Sequence, residues 1–319
     1  MSKYIIKRLL IMIPTLLAVA ILIFTLMALV PGDPVEIALG SEAPVAQKEA
    51  LRETLGLNDP FLVRLGNYLW GIVSRFDFGL SFQSRRPVIN EITSRFPNTL
   101  TLAFWCVLIC MAIGIPIGVR SAVKANSLED RASMFVTMLF NSMPNFFLAL
   151  LMVLLFSAWL GLLPSSGTRY WYSWILPVAS NSAGAIAAIA RQTRSSMLEV
   201  IRSDYVTTAR SKGLSERTVI YGHALPNALI PIITVAGSMF AMLLGGTMIT
   251  ETIFGIPGLG TYLITGVNGR DYNVVQACVL YIAAIFAVVM LLTDLVYAFV
   301  DPRIKAQYVG SKKKKKEEA

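Results

Sequence analysis

The sequence predicts an all-α membrane protein with six transmembrane helices, and three observations predict it. Of its 319 residues 55% are hydrophobic and 15% charged, and the mean hydropathy is +0.63, a balance too apolar for a soluble globular chain. Apolar windows near 9–30, 98–119, 134–160, 226–250 and 277–300 each reach the roughly 20 residues needed to cross about 30 Å of hydrocarbon. A sixth window, Trp174 to Thr193, is rich in Ala, Ser, Asn and Gly, the composition of a helix packed among helices rather than against lipid.

Lys3, Lys7 and Arg8 precede the first window, as in a secretory signal peptide. The window ends, however, in Val30-Pro-Gly-Asp-Pro34 with no small-x-small cleavage site, so an uncleaved first helix over 1–30 is expected. With six helices and an inside N-terminus, Arg120, Lys124 and Arg131 fall in one inside loop. Arg191, Arg194, Arg202, Arg210, Lys212 and Arg217 fall in another, and a basic tail over 301–319 follows. The outside loops at 161–173 and 251–276 carry only Arg169 and Arg270. The formal charge of +9 therefore reads as topology and contact with anionic membrane lipid. No basic stripe interleaved with stacking aromatics supports nucleic-acid binding.

Between the first two windows lies an outside segment, 31–97, with a helix-like stretch from Val45 to Gly56 and an aromatic stretch from Tyr68 to Phe82. It reads equally as an ordered spacer and as a cap touching an external partner. Pro31-Gly32-Asp33-Pro34 is a helix stop followed by turn chemistry.

Within the core, 98–300, small residues recur where helices approach closely: Gly114 and Gly118, then Gly237, Ala241 and Gly245. Pro144 interrupts the third window and frees backbone groups, as a pore-lining break or as a packing kink. Asn141, Met143, Met239, Met242, Thr247 and Glu251 are candidates for the substrate path, being polar or conformationally adaptable. Asp294, about six residues before the end of the last window, is expected to snorkel or to pair with a cation on a neighbouring helix.

Several chemistries are excluded. Cys106, Cys110 and Cys278 lie in or beside apolar windows and give neither a disulfide framework nor a zinc pattern, so no metal is expected. No phosphate-gripping Gly-x-x-x-x-Gly-Lys-Ser/Thr loop is present. His223 has no nucleophile or ligand cluster near it in the sequence, so no catalytic residue is assigned. Ionisable residues near the bilayer midplane are almost lacking, which argues against a proton-coupled carrier and moves the energy source outside the chain.

The most specific segment is 195–226. Ser195 to Ser211 has helical periodicity, Gly213 suits a C-terminal cap, and Ser215 with Glu216 and Thr218 begins a second short helix. Pro226 then opens the next span. Two short helices at the membrane surface read either as an interfacial hairpin on lipid headgroups or as a docking surface for a soluble partner.

This segment resembles the Glu-Ala-Ala loop of ATP-binding cassette (ABC) importer permeases. Gly213, Leu225 and Pro226 fall in register with it, Thr207, Thr208 and Ala209 stand at the Glu-Ala-Ala positions, and His223 stands at the Ile position. Its variant, Asp204-Tyr-Val-Thr-Thr-Ala-Arg-Ser-Lys-Gly213, is similar to that of the dipeptide, oligopeptide and nickel branch. So are Pro31-Gly-Asp-Pro34, Thr193 to Glu199, Asn227-Ala228, Thr250 to Phe254, Pro257 to Gly260 and Arg270 to Gln276. Asn273 stands where that branch usually has Pro, and Pro226 where it more often has Arg.

The resemblance implies a type I importer permease fold with a cytoplasmic coupling helix. It further implies a second homologous permease, two ATP-binding subunits holding ATP and Mg, an extracytoplasmic solute-binding protein, and no cofactor on this chain. Asp204, Arg210 and Lys212 would orient the coupling helix in an ATPase cleft, with Tyr205 and Ala209 as the buried contact. The solute implied is a di- or oligopeptide, with nickel or a metal chelate as the alternative within the branch. A membrane scaffold recruiting a cytoplasmic regulator is the alternative of another class.

Overall fold

A computed structural model describes residues 2–40 and 42–300, so the basic tail lies outside the described residues. Every regular element among them is helical, and the one extended contact is an isolated bridge between Leu80 and Pro87. Five stretches are long and apolar enough to cross a membrane, and one bent pair makes a sixth.

The bundle is built around α5 (Val88–Val123) and α8 (Ile175–Ile201). Glycine brings them together: a Cβ on Gly114 would come within 2.8 Å of Ile189, and one on Gly118 would collide with Thr193 and the Ala190 carbonyl. Cys106 and Cys110 donate across the same seam to the carbonyls of Val178 and Ser182 at 3.7 and 3.6 Å, so both thiols serve packing. The α8 span is 56% buried, against 17–39% for the other four unbroken spans, which explains its weak hydropathy.

α11 (Leu225–Gly246) packs on α8 and on α14 (Tyr272–Val300), where Gly237 lies directly under Thr293. α1 (Ser2–Leu29) packs chiefly on α14. Arg8 of α1 reaches Asp294 of α14 at 2.8 Å, the interhelical pairing expected for that acid.

The structure corrects four boundaries. The third window is two helices, α6 (Leu128–Ser142) and α7 (Asn145–Met152), the latter running on as a π-helical turn, Val153–Trp159; they meet at 96°. Met143 is extended there because Pro144 clashes with an α-conformation before it. The second helix starts at Val88 rather than after Pro97, which sits inside it. The periodic stretch 195–211 is broken at Arg202–Ser203. Finally, Pro226 does stand in the first turn of α11, but the fifth span starts earlier, because the helical run extends back to Glu216 through a π-helical turn, Val219–Ala224, and α10 (Glu216–Thr218).

The segment between α1 and α5 is ordered over its described residues. α2 (Pro34–Leu39) is capped by Asp33, whose Oδ1 accepts from the Val35 amide at 2.9 Å. Asp33 also pairs with Arg52 of α3 (Val45–Thr54). Phe24 of α1 stacks near Phe61 and Tyr68 of α4 (Phe61–Arg75), with ring centroids 5.6 and 5.2 Å apart. Ser81 donates to the buried Asp271 carboxylate at 2.7 Å, tying the segment to the start of α14.

Candidate coupling site

α8 ends at Ile201, and the chain turns through Arg202 and Ser203 into α9 (Asp204–Ser211). Ser203 is extended, and its carbonyl accepts from the Val206 and Thr207 amides at 3.1 and 3.2 Å, which starts the new helix. Asp204 in the first turn and Arg210 in the last both complement the helix dipole. Gly213 ends the turn at φ +77°, the left-handed region that glycine enters without steric penalty, and nothing lies within 4 Å of where its Cβ would be. Ser215 then caps α10 by accepting from the Thr218 amide at 3.3 Å.

α9 has two unlike faces. Val206 and Ala209 are buried against Met197 of α8, Val119 and Ala122 of α5, and Val219, Ile220 and Ala224 of the π-helical turn. Asp204, Tyr205, Thr207, Thr208, Arg210, Lys212 and Gly213 are exposed. Ala209 therefore anchors α9 to its own bundle and is not available as the buried contact with a partner; of that expected pair, Tyr205 alone stands outside.

Arg210 spans the Gly213 turn, its Nε and Nη2 donating to the Glu216 carboxylate at 3.1 and 2.8 Å. That hydrogen-bonded carboxylate holds the guanidinium still more firmly in its charged form. Leu225 is half-buried and Pro226 exposed, both inside the continuous helix rather than at its mouth.

The site is braced from α6. Asp130 is 3% exposed and accepts from Arg194 of α8 through both oxygens at 2.7 Å, while its Oδ2 also takes the Asn126 amide at 2.9 Å. Sequence reasoning missed this pair. The only local signal was Ser127-Leu-Glu-Asp130, a helix start with its acid at the third position, where Ser127 accepts from the Asp130 amide at 3.3 Å.

The substrate-path candidates do not form one group. Asn141 and Met242 are exposed and Met143 sits half-buried at the bend, whereas Met239 packs against the Cys110, Ile189, Ile232 and Ala236 cluster. Thr247 is 1% exposed and Glu251, in α12 (Met248–Ile253), is fully buried, so neither presents polar atoms to a path. Instead the Glu251 carboxyl organises the end of the bundle opposite α9. Oε1 accepts from the hydroxyls of Thr99 and Thr247 at 2.7 and 2.9 Å, Oε2 accepts from the Thr261 amide at 2.9 Å, and Gly258 packs directly on the group.

No group of three or more His, Cys, Asp or Glu suited to a metal ion occurs among the described residues.

Comparison with known proteins fits these features. The family description "Binding-protein-dependent transport system inner membrane component" matches residues 114–306, and that of its N-terminal part matches residues 1–103. The chain is 41% identical over 305 residues to the glutathione transport system permease protein GsiC of Escherichia coli K12, covering 96% of this chain and 99% of that one. The same identity and coverage hold for GsiC of Salmonella typhimurium LT2. An inward-facing structure of the MetNI methionine ABC transporter superposes with a TM-score of 0.58 at 20% identity, covering 67% of this chain and 97% of that one. The helical bundle, the surface helix α9 and two family matches that together span most of its length agree: the chain belongs to the binding-protein-dependent transport system inner membrane components, the permease subunits of ABC importers.

Proposed function

We propose that this chain forms one half of the translocation pore of an ATP-driven importer of small peptides. Its partners are a second homologous permease, two ATP-binding subunits that hold ATP and Mg, and an extracytoplasmic solute-binding protein. The observation that carries the reading is the two-faced α9, which is anchored inward by Val206 and Ala209 and leaves Asp204, Tyr205, Thr207, Thr208 and Lys212 without a covering surface. A helix seated in an ATPase cleft needs that combination of firm backing and free polar front.

The excess of Arg and Lys at the α9 end supports cytoplasmic termini and an outward-facing 31–87 segment. Closure of the ATPases on ATP moves α9. Contact of Val206 and Ala209 with Val219, Ile220 and Ala224 passes that motion into the continuous helix from Glu216 to Gly246. Peptides are the solute class because glutathione, named for the relatives at 41% identity, is itself a tripeptide.

Two experiments test the reading. Gly213→Asp should leave membrane insertion intact, since the space beside Gly213 is open, yet abolish transport and weaken ATPase association, whereas Gly213→Asn should do so less. Retained coupling in Gly213→Asp would count against docking at α9. In vesicles, binding protein loaded with a small peptide should stimulate ATP hydrolysis by the assembled complex; a flat response in an intact complex would move the solute to nickel or a metal chelate.

A further inference from the structure

We propose that the groove between the end of α5 and the start of the Glu216–Gly246 helix binds one anionic phospholipid, headgroup on its rim and acyl chain on its floor. The groove measures about 210 Å³. Its floor is apolar, with Val119 and Ile220 buried and Val123 and Tyr221 44% and 51% exposed. Its rim is basic. Lys124 is engaged by Glu129 at 2.8 Å, and Glu216 by Arg210 at 2.8 Å, which leaves Arg120 and Arg217 on the two opposing walls with no ion pair among the described residues.

Three considerations select the occupant. Two guanidinium groups facing one opening suit a phosphodiester, which each can bind through parallel N–H donors. An apolar floor with an exposed tyrosine suits an acyl chain near its glycerol end and gives no hydrogen bonds to a soluble anion. The groove also lies where α5 ends and the Glu216–Gly246 span begins, at the membrane boundary. Because Glu216 both lines the groove and holds Arg210, the bound lipid lies one ion pair from the coupling helix.

The test is native mass spectrometry of the full-length protein in detergent micelles, titrated with phosphatidylglycerol and, separately, with phosphatidylcholine. One tightly retained phosphatidylglycerol and little phosphatidylcholine are expected. At about 1 kcal/mol for each basic side chain near a membrane surface, Arg120→Ala with Arg217→Ala should weaken retention by roughly thirtyfold, while the double lysine variant, which keeps both charges but not the paired donors, should lose less. Val123→Glu, a change at a partly exposed floor position, should weaken it independently, and Arg169→Ala, in a different loop, should leave it unchanged. Equal retention in wild type and the double alanine variant, equal affinity for the two lipids, or displacement of phosphatidylglycerol by a soluble acidic peptide would each overturn the proposal.

Discussion

Asp130 at the start of α6 and Arg194 near the end of α8 form a two-pronged ion pair, with both N···O distances 2.7 Å, at the base of the coupling site. The pair locks the first turn of α6 to the end of α8 that leads, through the turn at Arg202 and Ser203, into α9. The carboxylate is almost fully buried and the guanidinium partly so. Replacing one partner leaves the other poorly solvated.

Asp130→Asn should therefore destabilise the solubilised protein by about 2 kcal/mol, the scale of a lost charge-assisted hydrogen bond. Thermal melting in detergent checks it. The double variant with Arg194→Ala should be little worse than either single one, the sign of a coupled pair.

Gly118→Val forces α5 and α8 apart, because its Cβ already has no room beside Thr193 and the Ala190 carbonyl. A loss of about 1–3 kcal/mol is expected, with no change in the local conformation of α9. Thr193→Ala should rescue little of it, because the Thr193 Cβ and the Ala190 carbonyl that the new side chain meets first both remain, and melting of the single and double variants checks this.

Glu251→Ala should rank among the most damaging substitutions in the chain. It strands the Thr99 and Thr247 hydroxyls and the Thr261 amide and opens a void above Gly258, for a loss on the order of 3 kcal/mol. Glu251→Gln, which keeps the volume but sets an amide donor against one of those three donors, should fall between it and wild type.

Asp33 gives a pH signature to the segment after α1. Burial pushes its pKa up, but the Arg52 guanidinium and the Val35 amide outweigh that and hold the carboxyl below its ordinary value. A depressed folded pKa means that the stabilisation is fully present above the unfolded value near pH ~3.9 and is lost as pH falls through the folded value. The melting difference between wild type and Asp33→Asn should thus be constant from pH 7 to about 5 and vanish in stronger acid.

Much of the coupling site was legible because its determinants are local. Gly213 occupies a left-handed turn that glycine favours, Ser215 caps the next helix, and helical periodicity over 195–211 marked the stretch that contains α9, though not the break before it. What was not legible depends on distant residues. Ala209 looked as available to a partner as Tyr205 until Val119, Met197 and Val219 closed over it. Glu251 read as a polar candidate for the substrate path, yet Thr99, 152 residues earlier, and Thr261 convert it into a buried tie. The π-helical turn before Pro226 escaped because proline at a helix start and proline after a π-helical turn have the same sequence, and tertiary packing of Val219 and Ile220 decides between them.

The central claim is that the exposed face of α9 docks an ATPase subunit. Disulfide cross-linking tests it most directly, with Tyr205→Cys and Thr208→Cys on this face, a cysteine in the ATPase cleft, and Val206→Cys as the inward control. The account predicts cross-links from positions 205 and 208 that change in yield on ATP binding, and none from 206. Equal cross-linking from all three positions, or none from 205 and 208 in an assembled and active complex, would contradict it.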